Sequence, residues 1–260
     1  MTRIALEALR LSKSFGGVQA VREASFSVPE GSLCALIGPN GAGKSSIFNL
    51  ITAVYSPSSG EAKLFGESLS VLSPARIASL GLVRTFQSAR VFPGMDSRQN
   101  VLAGAWMHSG SPALAQFLWL PSARRAEREL AARADALLEL GGLAPYRNVA
   151  ATDLPMGAQK TLEVLRALMA RPKVLLLDEP AAGLNDTETA DLCGLLLAVR
   201  ATGVTVLIVE HNMSLVMSIA DQVVVLDAGL VVADGSPSDI RRNQRVIEAY
   251  VGRNEEVALA

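Results

Sequence analysis

Three short apolar runs stand out along the chain: Leu33 to Ile37, Val174 to Leu177 and Val204 to Val209. Each predicts a strand. The last two, with no polar alternation, have the pattern of strands buried on both faces of a parallel sheet. The runs stop abruptly, at Gly38, at Asp178-Glu179 and at Glu210-His211. Helical periodicity fills much of the intervals. Ser45 to Val54 reads as a helix after the first run. Lys160 to Ala170 reads as one with Leu162, Leu165, Leu168 and Met169 near helical spacing. After Asn185 a third carries Leu192, Leu195, Leu196 and Val199 as its stripe. Strands that alternate with helices predict an α/β fold with a mostly parallel sheet.

The two ends and the middle have other patterns. Ile4 to Leu11 and Val18 to Val28 read as strands around a Ser14-Phe15-Gly16-Gly17 turn, an N-terminal β subdomain. Glu61 to Phe65 adds a short strand, Pro74 to Leu80 a short helix, and Gly81 to Gln87 a strand. From residue 88 strand signals fade, and Ala, Leu and Arg dominate. Arg98 to His108 reads as a helix, and Ser122 to Leu140 as a long amphipathic one whose charged face carries Arg124, Arg125, Glu127, Arg128 and Glu129. This predicts a helical subdomain inserted at about 88–170. Val223 to Leu226 and Val231 to Ala233 predict a hairpin, and Ser236 to Arg242 and Val246 to Val251 short closing helices. The expected organisation is a single domain over 1–252 with a tail at 253–260.

Composition narrows the classes. Of 260 residues half are hydrophobic, which suits one well-cored domain. The net charge of −1 and the lack of a long basic block argue against nucleic acid as the main partner. Cys34 and Cys193 both sit in apolar patterns, as buried thiols in a reducing cytosol would. No apolar run approaches the ~18 residues of a membrane span, so any work at a membrane is expected through another protein.

The polar residues that end the strands are the candidate chemistry. Gly38-Pro39-Asn40-Gly41-Ala42-Gly43-Lys44-Ser45 has the spacing G-x-x-x-x-G-K-[ST] of a phosphate-binding loop, with Ser46 next in the helix. Its glycines let backbone N–H groups converge on oxyanions, and the helix start adds its positive dipole end. Lys44 can reach the outer phosphates and the Ser45 hydroxyl can ligate Mg2+. Adjacent acids after a buried strand are costly unless they bind something. Asp178 therefore fits as a second Mg2+ holder, and Glu179 as the base that orients water against a γ-phosphate. Gln87 and His211 also end strands, where ligands of open parallel sheets sit. Phe15 is an aromatic on a turn that can stack on a base or cover a sheet edge.

Assembled in this order, these motifs resemble the ATPase subunit of an ABC transporter, over about residues 4 to 252. The resemblance makes Gly38 to Ser45 the Walker A loop and Val174 to Asp178 Walker B, with Glu179 as catalytic glutamate. It makes Gln87 the Q-loop residue, His211 the switch histidine and Phe15 the adenine-stacking aromatic. Leu154-Pro155-Met156-Gly157-Ala158-Gln159 takes the signature position and Ala181-Ala182-Gly183-Leu184-Asn185 the D-loop. The implied fold is a P-loop NTPase core with an N-terminal antiparallel β subdomain and an inserted helical subdomain. Val83-Arg84-Thr85-Phe86-Gln87, the run from Asp178 to Asn185 and the run from Val246 to Gly252 are similar to branched-chain amino-acid importer ATPases of bacteria.

The resemblance implies ATP and Mg2+ at the site, and catalytic roles for Glu179, His211 and Gln87. It implies integral-membrane permease subunits and a second ABC ATPase subunit, of the same or another chain, as partners. A solute-binding protein acts indirectly, and the expected place is the cytoplasmic face of the bacterial inner membrane. The usual signature is Leu-Ser-x-Gly-Gln. Here Pro155 replaces the serine and Ala158 the glutamine, which predicts a weaker completed site in the partner. Two other readings share the loop. One is a soluble ABC ATPase of DNA maintenance or translation, against which the ordinary insert and balanced charge weigh. The other is a P-loop small-molecule kinase, which has no use for the signature, the D-loop or His211.

Overall fold

The computed structural model describes residues 3–85, 91–105 and 121–250. Gln87, His108, residues 251–252 and the tail at 253–260 lie outside the described residues. Among those described, two compact units separate. One runs through Arg84 and takes up Lys173–Ala182 and the chain from Leu196 on; the other comprises Thr85–Pro172 and Gly183–Leu195.

The first unit contains two sheets. β1 (Ile4–Phe15) and β2 (Val18–Pro29) form an antiparallel pair, and with β4 (Ser59–Leu64) and β5 (Glu67–Ser68) they give the order β2-β1-β4-β5. β1 runs through Phe15, so the hairpin turn is Gly16-Gly17, two residues shorter than the sequence pattern suggests. Both glycines have positive φ, which a two-residue hairpin needs. The second sheet has the order β10-β9-β3-β8-β7-β6. Its strands are β3 (Leu33–Ile37), β6 (Leu82–Arg84), β7 (Val174–Asp178), β8 (Thr205–Val209), β9 (Gln222–Asp227) and β10 (Leu230–Gly235). All its neighbours pair parallel except β10 against β9. Every residue of β3, β7 and β8 is buried, as their unbroken apolar runs predict. Helix α1 (Lys44–Ile51) follows β3, and Ile47, Phe48 and Ile51 are buried in the same core cluster as Leu36 and Val209. α2 (Pro74–Ser79) lies between β5 and β6, capped by Ser73.

The second unit is helical. α3 (Ser97–Ala103) starts at a capping box of Asp96 with Gln99. It ends by Gly104, where a Cβ would lie 1.9 Å from the carbonyl oxygen of Arg166, so only glycine passes there. Among the described residues α3 stops at Ala103, and His108, to which the sequence pattern extends the helix, lies outside them. α4 (Pro121–Leu140) matches the amphipathic pattern, and Asp135 on it accepts from Arg98 at 2.7 and 3.0 Å. α5 (Met156–Met169) begins four residues before the expected Lys160, because Pro155 is already the N-cap. α6 (Asp186–Ala201) carries the expected stripe, with Leu192, Leu195, Leu196 and Val199 all buried. In the first unit, after β8, come α7 (Met213–Ile219), whose pattern the sequence reading misses, and α8 (Pro237–Arg241) after the β9–β10 hairpin. No helix among the described residues is long and apolar enough to cross a membrane.

Candidate nucleotide site

β3 feeds directly into the phosphate loop. A Cβ on Gly38 would lie 2.1 Å from the Leu226 carbonyl oxygen, and one on Gly43 would lie 2.4 Å from that of Ala20. Backbone approach this close allows no side chain, so both glycines are required by packing as well as by their positive φ. The hairpin after β9 braces the loop, since the Gly229 N–H donates to the Ala42 carbonyl at 3.0 Å. Gly43 caps α1 without any side-chain bond, and the first intrahelical amide is that of Ile47, bonded to the Gly43 carbonyl. The helix start therefore keeps its free N–H groups at Lys44, Ser45 and Ser46, the arrangement that binds oxyanions. The Lys44 ammonium folds back over the loop and donates to the carbonyls of Gly38 at 2.7 Å and Pro39 at 3.1 Å. Burial lowers the Lys44 pKa, opposed by the carboxylates of Glu179 and Asp178.

Strand register sets the remaining groups. β8 pairs parallel with both β3 and β7, so Val209 faces Leu36 on one side and Asp178 on the other. The carboxyl ends of three neighbouring strands thus bring the loop from Gly38, the acids Asp178 and Glu179, and Glu210-His211 to one edge. Asp178 is 8% exposed at its side chain, and its Oδ2 accepts from the Arg84 guanidinium at 2.8 Å. Arg84, at the end of β6, also donates to Asn49 Oδ1 at 2.7 Å and to Thr52 Oγ1 at 3.3 Å on the loop helix. Its guanidinium carbon lies 5.4 Å from the Phe48 ring centre. Glu179 is half-buried with φ +48°, a left-handed conformation unusual for a residue with a side chain, and its N–H donates to the Val209 carbonyl at 2.9 Å. His211 is exposed. The Glu210 carboxylate, fully buried, accepts from the amides of Ala181 at 2.8 Å and His211 at 3.2 Å.

Phe15 is 40% exposed and stands edge-on to Tyr55 at 5.2 Å, with the Lys13 ammonium 5.1 Å from its ring centre. The ring thus has aromatic and cationic company but keeps accessible surface for stacking. The donors Ser45 and Asp178 are hard oxygens, the set that suits Mg2+ held between protein and phosphates. Among the described residues no cluster of three His, Cys, Asp or Glu side chains could cage a metal alone. The residues present therefore fit a Mg2+ that enters with the nucleotide.

In the second unit, Leu154 is buried and braced by Gln159, whose Nε2 donates to its carbonyl at 2.8 Å. Pro155 caps α5 with no side-chain bond, and the first intrahelical amide is that of Gln159. The amides of Met156, Gly157 and Ala158 stay free, and Met156 is exposed. Asn185 caps α6 through the reciprocal box that its spacing with Glu188 predicts, at 2.9 and 3.0 Å. A Cβ on Gly157 would lie 2.5 Å from Glu188 Oε1, so the same glutamate packs on Gly157.

The sequence reading of the site misses Arg84 and Glu210. Glu210 had a readable signal, an acid straight after an apolar buried run like that before Asp178. Arg84 had none, since its partner is 94 positions away.

Comparisons with known proteins agree with this geometry. Residues 21–182 match the family model described as ABC transporter, and residues 231–256 match one described as branched-chain amino acid ATP-binding cassette transporter. The chain is 44% identical to the high-affinity branched-chain amino acid transport ATP-binding protein BraF of Pseudomonas aeruginosa, over 97% of this chain and 99% of that one. It is 40% identical to the corresponding LivG protein of Escherichia coli, over 93% and 95%. Among solved structures, the ADP conformation of an ATP-binding cassette of an ABC transporter superposes with a TM-score of 0.83 at 31% identity, covering 96% of this chain and all of that one.

Proposed function

The chain belongs to the ABC transporter ATP-binding family, whose members are ATPases. On that premise we propose that it is the subunit that powers import of branched-chain amino acids, or a related small polar solute. The observation that carries the hydrolytic part is the meeting of the loop at Gly38–Ser45, the acids Asp178 and Glu179 and the His211 loop at neighbouring strand ends. The observation that favours this solute class is the similarity that extends through residues 231–256.

The free amides at the start of α1, with Lys44, hold the β- and γ-phosphates of ATP. Phe15 stacks on the adenine. Ser45, Asp178 and Gln87 would hold Mg2+, which would neutralise the charge that develops on the phosphates. Glu179 orients the attacking water and accepts its proton, and His211 steadies the γ-phosphate. Catalysis rests on positioning and on fixed charge more than on covalent chemistry. The free amides at Met156, Gly157 and Ala158, and the Asn185 loop, serve the nucleotide of a second ABC ATPase subunit. Closure of the pair moves the membrane permease subunits at the cytoplasmic face, and a solute-binding protein delivers the solute.

The test is to isolate the complex through this chain, reconstitute it in vesicles with ATP inside, and measure uptake of labelled leucine, isoleucine and valine with their binding protein outside. ATP-dependent uptake supports the reading. ATP hydrolysis without uptake of any of the three, or of a wider panel of small polar solutes, removes the solute assignment.

A further inference from the structure

Glu210 is a fully buried acid whose oxygens, among the described residues, accept only from backbone amides. Oε1 takes the Ala181 N–H at 2.8 Å; Oε2 takes the His211 N–H at 3.2 Å and, at the limit, that of Asn212 at 3.5 Å. Burying a charge is costly, and an apolar residue would extend β8 without that cost. What the carboxylate offers is two acceptor atoms facing two separate loops, one after β7 and one after β8. The first loop holds a conformation that needs support. Glu179 has φ +48°, and strained backbone of this kind persists only where the surroundings over-determine it. The Val209 carbonyl fixes the Glu179 amide, the Ala182 amide closes the turn onto the Glu179 carbonyl at 3.1 Å, and Glu210 pins the residue between.

We propose that Glu210 is a positioning residue of the hydrolytic site: its carboxylate clasps the turn that aims Glu179 together with the loop that begins at His211. This rests on the roles given above to Glu179 and His211. A glutamine in place of Glu210 keeps the shape but sets an NH2 donor against either the Ala181 or the His211 amide, so one half of the clasp is lost.

The experiment measures ATP hydrolysis per ATP-binding site in the complex isolated through this chain. Glu210→Gln is expected to lower kcat per site about 10- to 100-fold, the scale of a catalytic group displaced by about 1 Å. The KM for ATP should stay within about twofold, because the phosphate loop is untouched. In a Glu179→Gln background the same change should lower the residual single-turnover rate by no more than about twofold, since the clasp acts through Glu179. A merely structural role would reduce the number of ATP sites and leave kcat per site alone. Normal kcat per site in Glu210→Gln, or an equal fold loss in both backgrounds, overturns the proposal. If Glu179→Gln itself turns over normally, the role of Glu179 falls and this proposal with it. If Glu179→Gln is inactive while Glu210→Gln is normal, only Glu210 loses its role. Should Glu210→Gln not fold, amide exchange in the unaltered protein reads the clasp. The Ala181 amide should exchange at least about 100-fold slower than an open chain, and open-chain exchange there overturns the proposal.

Discussion

Arg84→Met tests whether the bond to Asp178 carries energy. The pair is nearly buried, with side-chain exposures of 13% and 8%, and the guanidinium is shared with Asn49 and Thr52. Methionine keeps the apolar stem beside Phe48 but removes the charge. Breaking one partner of a buried pair costs about 3–5 kcal/mol, because the other is left as an uncompensated charge. The Lys44 ammonium feels the charge of Asp178 and moderates the loss, so about 3 kcal/mol is expected. Asp178→Asn should cost a similar amount by stranding the guanidinium. With both changes no buried charge is orphaned at this position, and the double variant should cost about 2–3 kcal/mol less than the sum of the two. The assay is urea unfolding followed by circular dichroism, with EDTA and without nucleotide, for all four proteins at matched m-values. Additivity within about 0.5 kcal/mol would refute the argument and reduce the contact to an arrangement without energy.

Glu179→Gln should keep ATP binding, abolish steady-state hydrolysis and trap a closed dimer, as read by size exclusion with ATP; near-normal turnover would remove the role of Glu179. Pro155→Ser adds a hydroxyl at the α5 N-cap and should raise the ATPase rate of the assembled transporter; an unchanged or lower rate means the free amides of α5 already suffice. Gly157→Ala forces the Glu188 carboxylate aside and weakens the Asn185 cap, for a loss of about 1 kcal/mol in unfolding measurements; an unchanged stability would show that Glu188 moves at no cost. Burial pushes the Cys34 thiol far above its usual range, so it stays neutral while folded. The unfolded chain ionises first as pH rises past the ordinary thiol pKa, so stability from this group is lost above about pH 8.5. Cys34 should resist alkylation in the native protein at pH 8 and react in urea, and native alkylation followed by peptide mapping would contradict its placement.

What was legible in the chain alone was local. The loop from Gly38 to Ser45 is recognisable because phosphate binding demands glycines, a lysine and a hydroxyl within eight consecutive positions. The Asn185–Glu188 box spans one helical turn, and the buried strands declare themselves by unbroken apolar runs. The start of α5 was legible too, since Pro155 is its N-cap, although the apolar spacing alone points to Lys160. That Gly104 must be glycine was not legible, because the carbonyl that excludes a side chain there belongs to Arg166.

The sequence by itself determined the chemistry on offer: a nest for phosphates, two acids after a buried strand, a histidine after another, and the order of strands and helices that carries them. Those requirements are met by residues close in the chain, so composition and spacing express them. Only the tertiary structure decided how the groups are held. Parallel pairing of β8 with β3 and β7 brings three strand ends together, Arg84 reaches Asp178 from 94 positions away, and Glu210 reaches Ala181 from 29. The physical reason is that a buried charge needs a partner but does not care where in the chain that partner lies. Strand order chooses it, and strand order is a property of the packed sheet.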